Sequence, residues 1–445
     1  MSVPHLDRIL VEASPGEIRA VALADGVPWD IAIERVTAAV GAGDIYMARA
    51  GAEGPNGSRF FDIGEAEQAL LRKPRNAWTN GAYGLIQVLR GEAGDKGPRI
   101  TDRVWLDGVW LSLGQGASGP AEDRIEAPRS FPKLRRAALR RQLARDLPRS
   151  TAIRLHADPG QGIEAARTLL DERDRLIAAM SALTVSEHRP KRLAKAAGDV
   201  TQLISRAKVA RIAPADPASA AWATSVLEYQ SRLDAPDAAV ATAIDDAMDE
   251  ALSPEAEILD GARIWVEPTH ALIAVDVDVA QSIADVGVIN DAAAYEIARR
   301  LRLGRHGGMV VVDFLRRAPV RESLRRMADL GEVDPWPWVP PEKPDALGLT
   351  SFARPRMGAS LAELTSSETA MALATLRQAC RFAKNGVLPA AIAAPPAIIG
   401  LLQGPLSDAL ADAASRVGQA LDLKRNQGLR SAQILDATGN RLELQ

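Results

Sequence analysis

The sequence predicts a soluble multidomain α/β protein. Its 445 residues exceed what one hydrophobic core usually serves, so we expect about three to five units of ordinary domain size. Two apolar, β-branched runs, 270–279 and 308–316, flank a helix-like segment, and short β segments punctuated by glycine fill residues 40–101. A strand-helix-strand unit beside a run of short strands is typical of a chain that combines an α/β domain with a small β-barrel.

The composition excludes several classes of protein. Hydrophobic residues make up 47% and charged residues 25% of the chain, a balance that argues against intrinsic disorder. No stretch approaches the roughly 18 to 20 uninterrupted apolar residues that span a bilayer, and acids stand where a signal peptide carries its apolar core. We therefore expect a cytoplasmic protein with no membrane partner. The single cysteine, Cys380, excludes an internal disulfide and a thiolate zinc site within one chain.

The first half of the chain contains short strands and then helices. Residues 7–36 predict two strands joined by a Ser-Pro-Gly turn, followed by more extended chain. The glycine-punctuated segments of 40–101 predict a small β-barrel. Residues 116–132 are rich in Gly, Ser and Pro and are predicted to join two units. Residues 162–183 place apolar side chains roughly on one face of a helix.

The second half ends in a compact α/β tail. Residues 335–347 read PWPWVPPEKPDAL and are predicted to form a proline-rich boundary. The last 80 residues alternate helix and strand. We expect them to form a small α/β domain of their own.

Arginines cluster at two places, residues 129–149 and 299–326. The planar guanidinium suits phosphate, so a polyanion is the natural partner of such clusters. The alternative is that each cluster covers a solvated helix face. The second cluster also contains an aspartate, Asp313. The arginines that we predict to position phosphates there are Arg299, Arg302, Arg305 and Arg316.

Both apolar runs carry an aspartate near their ends, Asp276 and Asp313. Runs of Val, Ile and Ala bounded by turn residues are typical of buried strands, where an uncompensated carboxylate is strongly destabilising. The helix between them has Asn290 as its expected N-cap and glycines at its end. A right-handed crossover places the two strands parallel and adjacent. Both aspartates then lie near the carboxyl ends of their strands, where open α/β sheets bind ligands.

A third carboxylate is expected to join this pair. Because side chains alternate along a strand, Asp278 shares a face with Asp276. Three converging carboxylates repel one another unless a proton or a cation intervenes, and oxygen ligands favour magnesium, with manganese as the alternative. Together with the arginines, the pattern indicates a metal-assisted phosphodiester site. The other interpretation is that the aspartates cap loops and pair with nearby arginines.

Two segments resemble the active-site core of the ribonuclease E/G family: ALIAVDVDV and NDAAAYEIARRLRLGRHGGMVVVDFLRR. Members of this family are bacterial single-strand endoribonucleases. The resemblance implies that Asp276 and Asp313 are the magnesium ligands. The family's asparagine, which orients the first aspartate, falls on Asp278, so this residue is the expected orienter or third ligand. The family's following Ser-Gly-Arg is missing, and Arg316 stands where a second acid is common.

The glycine-punctuated region is similar to the family's inserted OB-fold domain, which closes on a Lys-Gly-Pro-Arg-Leu-Thr segment. Here that segment is KGPRIT, from Lys96 through Arg99 to residue 101. An OB fold binds single strands along a basic groove by stacking bases on aromatic rings. The resemblance therefore implies RNA contacts from Lys96 and Arg99 and stacking on Tyr46 and Phe61. The alternative is barrel core, which we expect for at least two of the available aromatic side chains, Tyr46, Phe60, Phe61 and Tyr83.

Two further family features are altered. STAIRLHADPG resembles the family's 5′-sensor, in which an Arg-Thr pair holds the RNA 5′-monophosphate; Arg154 matches the arginine and Leu155 replaces the threonine. The segments around residues 347–364 and 366–380 resemble those that flank the family's zinc link, but the Cys-Pro-x-Cys-x-Gly motif is absent. We therefore expect no zinc, and either a monomer or a homodimer held without a zinc link.

The resemblance implies an RNase H-like unit with an inserted OB-fold β-barrel, a mixed α/β nuclease unit and a small C-terminal α/β domain. The predicted bounds are 1–38 for the first segment of the RNase H-like unit, 39–115 for the OB-fold RNA-binding domain, 116–205 for the 5′-sensor-like region, 206–255 for the second segment of the RNase H-like unit, 256–348 for the metal-binding nuclease unit, 349–365 for the remnant of the zinc-link segment and 366–445 for the small α/β domain.

The function that these patterns predict is magnesium-dependent endonucleolytic cleavage of single-stranded RNA, in RNA processing or turnover, by a divergent, zinc-less member of the family. The alternative is a non-catalytic RNA-binding paralogue. Its support is the set of altered motifs: no zinc link, a broken sensor pair and Asp278 in place of asparagine.

Overall fold

The computed structural model describes most of the chain and divides it into two compact units. Residues 1–38 and 198–445 form one, called here the divided unit, and residues 39–197 form the inserted unit. None of the helices described is long and apolar enough to cross a lipid bilayer. The described residues are 4–35, 40–91, 97–108, 110–127, 131–155, 163–183, 188–207, 211–226, 232–316, 318–356 and 358–443.

Strands and helices are numbered separately in chain order. The strands are β1 (Arg8–Ser14), β2 (Glu17–Ala24), β3 (Val27–Arg35), β4 (Ile45–Glu53), β5 (Arg59–Asp62), β6 (Ala69–Leu71), β7 (Tyr83–Arg90), β8 (Arg99–Thr101), β9 (Trp105–Asp107), β10 (Leu111–Gln115), β11 (Ile125–Glu126), β12 (Thr151–Leu155), β13 (Lys191–Ala194), β14 (Arg211–Pro214), β15 (Glu255–Glu257), β16 (Arg263–Pro268), β17 (Ile273–Asp278), β18 (Gly308–Asp313), β19 (Leu349–Arg354), β20 (Ala391–Ala394), β21 (Asp422–Arg425) and β22 (Gln433–Leu435). The helices are α1 (Lys133–Ala144), α2 (Ile163–Ala182), α3 (Asp199–Arg206), α4 (Pro217–Val226), α5 (Ala239–Leu252), α6 (Val286–Leu303), α7 (Arg321–Glu332), α8 (Leu361–Ser366), α9 (Glu368–Lys384), α10 (Pro396–Gln403) and α11 (Ser407–Val417).

The first sheet of the divided unit has the order β3-β2-β1-β14. β1, β2 and β3 form an antiparallel meander, and β1 pairs parallel with β14 in the register Arg8↔Arg211. The sheet is covered on both faces: Ile9 and Val11 pack towards α3 and α4, whereas Leu10 packs towards α5. The segments 1–38 and 206–255, which the sequence assigns to one unit, are therefore joined through the β1–β14 pair.

The second sheet has the order β15-β16-β17-β18-β19 and is covered on one face only. α6 and α7 pack on that face, where Val275, Val277, Val310 and Val312 are buried. Residues between them on the strands point to the opposite face, which is partly or fully exposed. The expectation that these apolar runs form buried strands holds for one face only, because the other face has no covering layer among the described residues.

The C-terminal region alternates helix and strand, as the sequence predicts, and lies within the divided unit. Its sheet has the order β21-β20-β22, and α9, α10 and α11 pack around it. The proline-rich segment 335–347 lies within the divided unit, and its Trp338 is buried against Phe352, with ring centroids 4.7 Å apart.

The inserted unit contains a closed barrel, as the short strands predict. Its strands follow the order β4-β5-β6-β8-β7, and β7 pairs again with β4 to close the ring. β6 and β8 are parallel, and β13 lies beside β4 outside the ring. A second sheet, β11-β12-β10-β9, shares a core with α1 and α2. α2 covers the residues for which the sequence predicts an apolar helical face.

Candidate active site

Asp276 and Asp313 lie side by side at the carboxyl ends of two neighbouring strands. β17 and β18 pair in parallel, and the register sets Asp276 directly opposite Asp313. Adjacent strands are about 4.8 Å apart, so the two carboxyl groups share one edge of the sheet. α6 connects the strands. The predicted strand-helix-strand unit, with its parallel and adjacent strands, is confirmed.

The pair is exposed rather than interior. Asp276 is exposed, and the side chain of Asp313 is 42% exposed. Partial burial and the charges of Asp313 and Asp278 raise the pKa of Asp276, and the backbone N–H of Val277 only partly opposes this effect. The site therefore concentrates negative charge at a solvent-accessible edge, an arrangement that a bound cation relieves.

Asp278 does not complete a three-carboxylate cage. Its Oδ1 accepts a hydrogen bond from the backbone N–H of Ala280 at 3.1 Å, and Ala280 has a φ of 47°. Among the residues that the structure describes, no group of three His, Cys, Asp or Glu side chains is placed to hold a metal ion. The expected convergence of three carboxylates is therefore not seen. The carboxylate of Asp278 instead caps the backbone of the loop that follows β17.

The two aspartates differ in their partners. Asp313 forms an ion pair with Arg316 at 3.5 Å, and the Arg316 side chain is 66% exposed. Asp276 has no ion pair within the described part of the chain. The interpretation of the aspartates as caps and partners of arginine thus fits Asp278, which caps a turn, and Asp313, which pairs with Arg316. It does not account for Asp276, whose pKa is raised and which pairs with no arginine in the described chain.

Asn290 holds the loop beside the site instead of capping the helix. α6 begins one turn earlier, with Asp285 as N-cap, whose Oδ1 accepts from the backbone N–H of Gly287 at 2.8 Å. Asn290 is fully buried within α6. Its amide accepts from the backbone N–H of Leu315 at 3.1 Å and donates to the Leu315 carbonyl at 2.9 Å. The prediction of Asn290 as N-cap is wrong. The residue fixes the chain two positions after Asp313.

Trp265 is a neighbour of the pair that sequence reasoning missed. β16 pairs antiparallel with β17, and Trp265 stands directly opposite Asp276. Directly paired residues point to the same face of a sheet, so this half-buried ring lies on the open face next to the carboxylate. The alternation in RIWVEP, with Ile264 and Val266 buried, is the signal that could have placed it there.

Arg299 and Arg302 are structural, which contradicts their predicted role with phosphates. The Arg299 side chain is only 6% exposed, donates to Glu296 at 2.7 Å and forms an ion pair with Glu250. Arg302 donates to Asp30 through two nitrogens, at 3.1 and 2.9 Å. Because these guanidinium groups are already paired and largely covered, a phosphate would have to break buried contacts to reach them.

Arg305 is also engaged by its own chain. It pairs with Asp199 at 2.8 Å, its side chain is 12% exposed, and its guanidinium lies 5.3 Å from the ring centroid of Trp336. The prediction that Arg305 positions a phosphate is contradicted for the same reason as for Arg299. Of the four predicted arginines, Arg316 is the one that the structure leaves exposed beside the carboxylates.

Tyr46 and Phe61 belong to the barrel core. Both are 0% exposed; the Tyr46 hydroxyl donates to Glu65 at 2.9 Å, and the Phe61 ring packs edge-on against Trp78. Their predicted role in stacking bases is therefore wrong, and the alternative of barrel core holds for both. The alternation along β4 and β5 points these rings inwards. Phe60 and Tyr83 are half-buried and remain available at the barrel surface.

The predicted basic contacts of the inserted unit have different outcomes. Lys96 lies outside the described residues. Arg99 is half-buried on β8. Arg154 is 46% exposed, pairs with Glu126 at 2.9 Å, and stacks over Trp105 with its guanidinium 4.2 Å from the ring centroid. Leu155 beside it is buried, so it adds no hydrogen bond at the surface.

Comparison with known proteins agrees with the resemblance of the motifs. A sequence profile described as the Ribonuclease E/G family matches residues 208–331, which include both Asp276 and Asp313. Ribonuclease E of Nostoc sp. is 27% identical over 307 residues, covering 63% of this chain and 44% of the relative. Ribonuclease E of Synechocystis sp. is 24% identical over 388 residues, covering 76% of this chain and 56% of the relative. Ribonuclease E of Escherichia coli is 34% identical over 86 residues, or 18% of this chain and 8% of the relative.

The fold and the site together define a mixed α/β protein with a closed barrel and an exposed aspartate pair on parallel strands. Residues 208–331 match the ribonuclease E/G family, and most of the chain is similar to ribonuclease E. It spans about half the length of the curated relatives first named above.

Proposed function

We propose that this protein is a metal-dependent endoribonuclease that cleaves single-stranded RNA, with magnesium as its preferred ion. The observation that supports the proposal most strongly is the direct register of Asp276 with Asp313 on parallel strands, within the segment that matches the family. The raised pKa of Asp276 adds to this support, because it comes from partial burial and from the neighbouring charges of Asp313 and Asp278.

A pair of carboxylates is enough protein ligands for magnesium, and a complete shell of protein ligands is not required. Magnesium is often held by one or two carboxylates, with water and substrate phosphate completing its shell. Asp276 and Asp313 would hold the ion, which when bound polarises a phosphate oxygen and favours hydroxide at neutral pH. Asn290 keeps the loop after Asp313 in place through both hydrogen bonds to Leu315. Asp278 orients the turn after β17 through Ala280.

Exposed and half-buried side chains would supply the RNA contacts. Arg316 lies next to the carboxylates, and Trp265 offers an aromatic face on the other side of Asp276. We propose that the barrel is an OB fold, since its ring order and its parallel β6–β8 pair suit that topology. Arg99 and Arg154 would contact the RNA backbone from the inserted unit. Contacts of this kind are sequence-neutral and make binding sensitive to salt.

The proposal is tested by incubating the purified protein with one RNA oligonucleotide, either single-stranded or annealed to its complement. Magnesium, manganese and a chelator are compared, and products are resolved on a denaturing gel. We expect internal cleavage of the single strand with magnesium, weaker or no cleavage of the duplex, and none with the chelator. Cleavage that is unchanged by the chelator would overturn the metal requirement.

A second candidate is a non-catalytic RNA-binding paralogue. The observations that favour it are the ion pair of Asp313 with Arg316 and the turning of Asp278 to its own loop. The same experiment separates the two functions when RNA binding is measured in parallel by filter retention. Binding without cleavage at any magnesium concentration would support the paralogue and reject the nuclease.

A further inference from the structure

A cleft of about 790 Å³ adjoins the aspartate pair. β19 pairs antiparallel with β18, and Leu349 stands directly opposite Asp313. Leu349 also lines the cleft, so the cleft begins one strand away from the carboxylates. Its walls come from the loop after β18 and the start of α7, and from the proline-rich segment before β19. Its charged lining residues are Arg321, Glu342, Lys343 and Asp345.

Two cations in this cleft have no partner within the described residues. Arg321 and Lys343 are exposed and form no ion pair or hydrogen bond there. Two acids also line the cleft, but Asp345 is engaged, because its Oδ1 accepts from the backbone N–H groups of Leu347 and Leu349, each at 2.9 Å. Glu342 is exposed and unengaged by the described chain. The lining therefore carries two positive and two negative charges, and Arg321 and Lys343 are its cations without a partner in the described chain.

Arg316 reaches from Asp313 towards Gly348, the residue before Leu349 of the cleft. A Cβ placed on Gly348 would lie 3.2 Å from the Arg316 Nε, so the arginine passes close over this glycine. Gly348 has a φ of +83°, which a side-chain residue rarely adopts. The glycine thus permits both the turn before β19 and the close approach of Arg316, which reaches back to Asp313.

We propose that this cleft holds the stretch of single-stranded RNA next to the scissile phosphate, with Arg321 and Lys343 each contacting one phosphate. The inference rests on the proposed nuclease function, because it takes the aspartate pair as the place of cleavage. Exposed cations bind phosphate without reading sequence. The proline walls give sugars and bases an apolar surface, and the cleft volume lies in the range typical of ligand sites.

The test measures affinity for a fluorescent single-stranded RNA by anisotropy, in chelator so that no metal-dependent cleavage occurs, over a range of salt concentrations. For single strands the slope of log affinity against log salt is about −0.7 per phosphate neutralised. The double variant Arg321→Gln/Lys343→Gln should therefore bind more weakly and show a slope shallower by about 1.4. The matched control Arg430→Gln/Lys424→Gln removes the same charge from exposed positions outside the cleft.

A charge-preserving variant, Arg321→Lys/Lys343→Arg, should keep the parent slope, and thermal melting should show that all variants are folded. The cleft proposal is overturned if the Gln variant and the matched control change the slope equally. That outcome leaves the nuclease proposal standing, since cleavage is scored separately with magnesium. Failure of the parent protein to bind RNA at all would overturn both proposals.

Discussion

Arg354→Met should be one of the most destabilising substitutions in the divided unit. Arg354 and Asp334 are 1% and 3% exposed, and their side chains form three hydrogen bonds between 2.8 and 3.1 Å. The guanidinium also stacks 4.8 Å from the ring centroid of Trp336. Removing one partner of a buried ion pair leaves a charge without compensation and costs about 3–5 kcal/mol. At about 2–4 °C per kcal/mol, the melting temperature should fall by about 6–20 °C.

Chemical denaturation of four proteins measures the effect: the parent, Arg354→Met, Asp334→Asn and the double variant. Because the double variant removes both charges, we expect a coupling free energy of about 0.5–3 kcal/mol between the two sites. The reasoning is refuted if Arg354→Met loses less than about 0.5 kcal/mol, the range of ordinary surface substitutions, or if the two single losses simply add.

The Arg354→Met variant should also change the pKa of His306. Burial, together with the charges of Arg354 and Arg300, lowers the pKa of His306 to about 4. Its folded pKa therefore lies below its ordinary value of 6.5, so its contribution to stability is lost as the pH falls from 6.5 towards 4. Arg354→Met should raise the pKa of His306, which an NMR titration of the imidazole protons would detect. An unchanged pKa would contradict the coupling.

Three further predictions concern the site. The pKa of Asp276 is raised above its ordinary 3.8, so its ionised carboxylate destabilises the folded state once the pH rises through the folded pKa. Asp276→Asn should therefore unfold at a higher urea concentration than the parent at pH 7 in metal-free buffer. This advantage should disappear below pH 3.8. Trp265→Ala should weaken RNA binding by about 1–3 kcal/mol if a base stacks on the ring, with Trp265→Phe as the conservative control and unchanged affinity as the contrary result. Because Leu155 is buried, a 5′-monophosphate should improve cleavage over a 5′-hydroxyl by no more than one charge-assisted hydrogen bond, about 1.5–3 kcal/mol; a larger preference that vanished in Arg154→Ala would show a working sensor.

The positions of the two aspartates followed from local pattern and general topology. The period of two along each run fixes which side chains share a face, and the right-handed crossover makes the strands parallel neighbours. The register of Asp276 with Asp313 realises both rules. The sequence could not show that one face of the sheet is open, because the half-buried or exposed positions next to buried Val275 and Val312 include alanine and valine as well as acids.

The roles of the arginines depended on partners far away in the chain. Arg299 and Arg302 end in contacts with Glu250 and Asp30, residues that lie in other segments and that no local pattern connects to α6. The prediction for the barrel aromatic side chains failed for a different reason. In a small closed barrel, inward and outward positions alternate, so a shift of one position along a strand moves a ring from the surface to the core. Tyr46 is the clearest example, because it is both fully buried and hydrogen-bonded.

The most direct test of the nuclease proposal is single-turnover cleavage of a single-stranded RNA during a magnesium titration, for Asp276→Asn, Asp313→Asn and Asp278→Asn. The first two variants remove a charge that would bind the ion, so they should not cleave RNA at any magnesium concentration. They should still fold and bind RNA, because asparagine has nearly the same shape as aspartate. Asp278→Asn should keep or raise activity, because its oxygen can still accept from Ala280. Normal cleavage by both the Asp276 and Asp313 variants would contradict the account and leave these aspartates as structural residues.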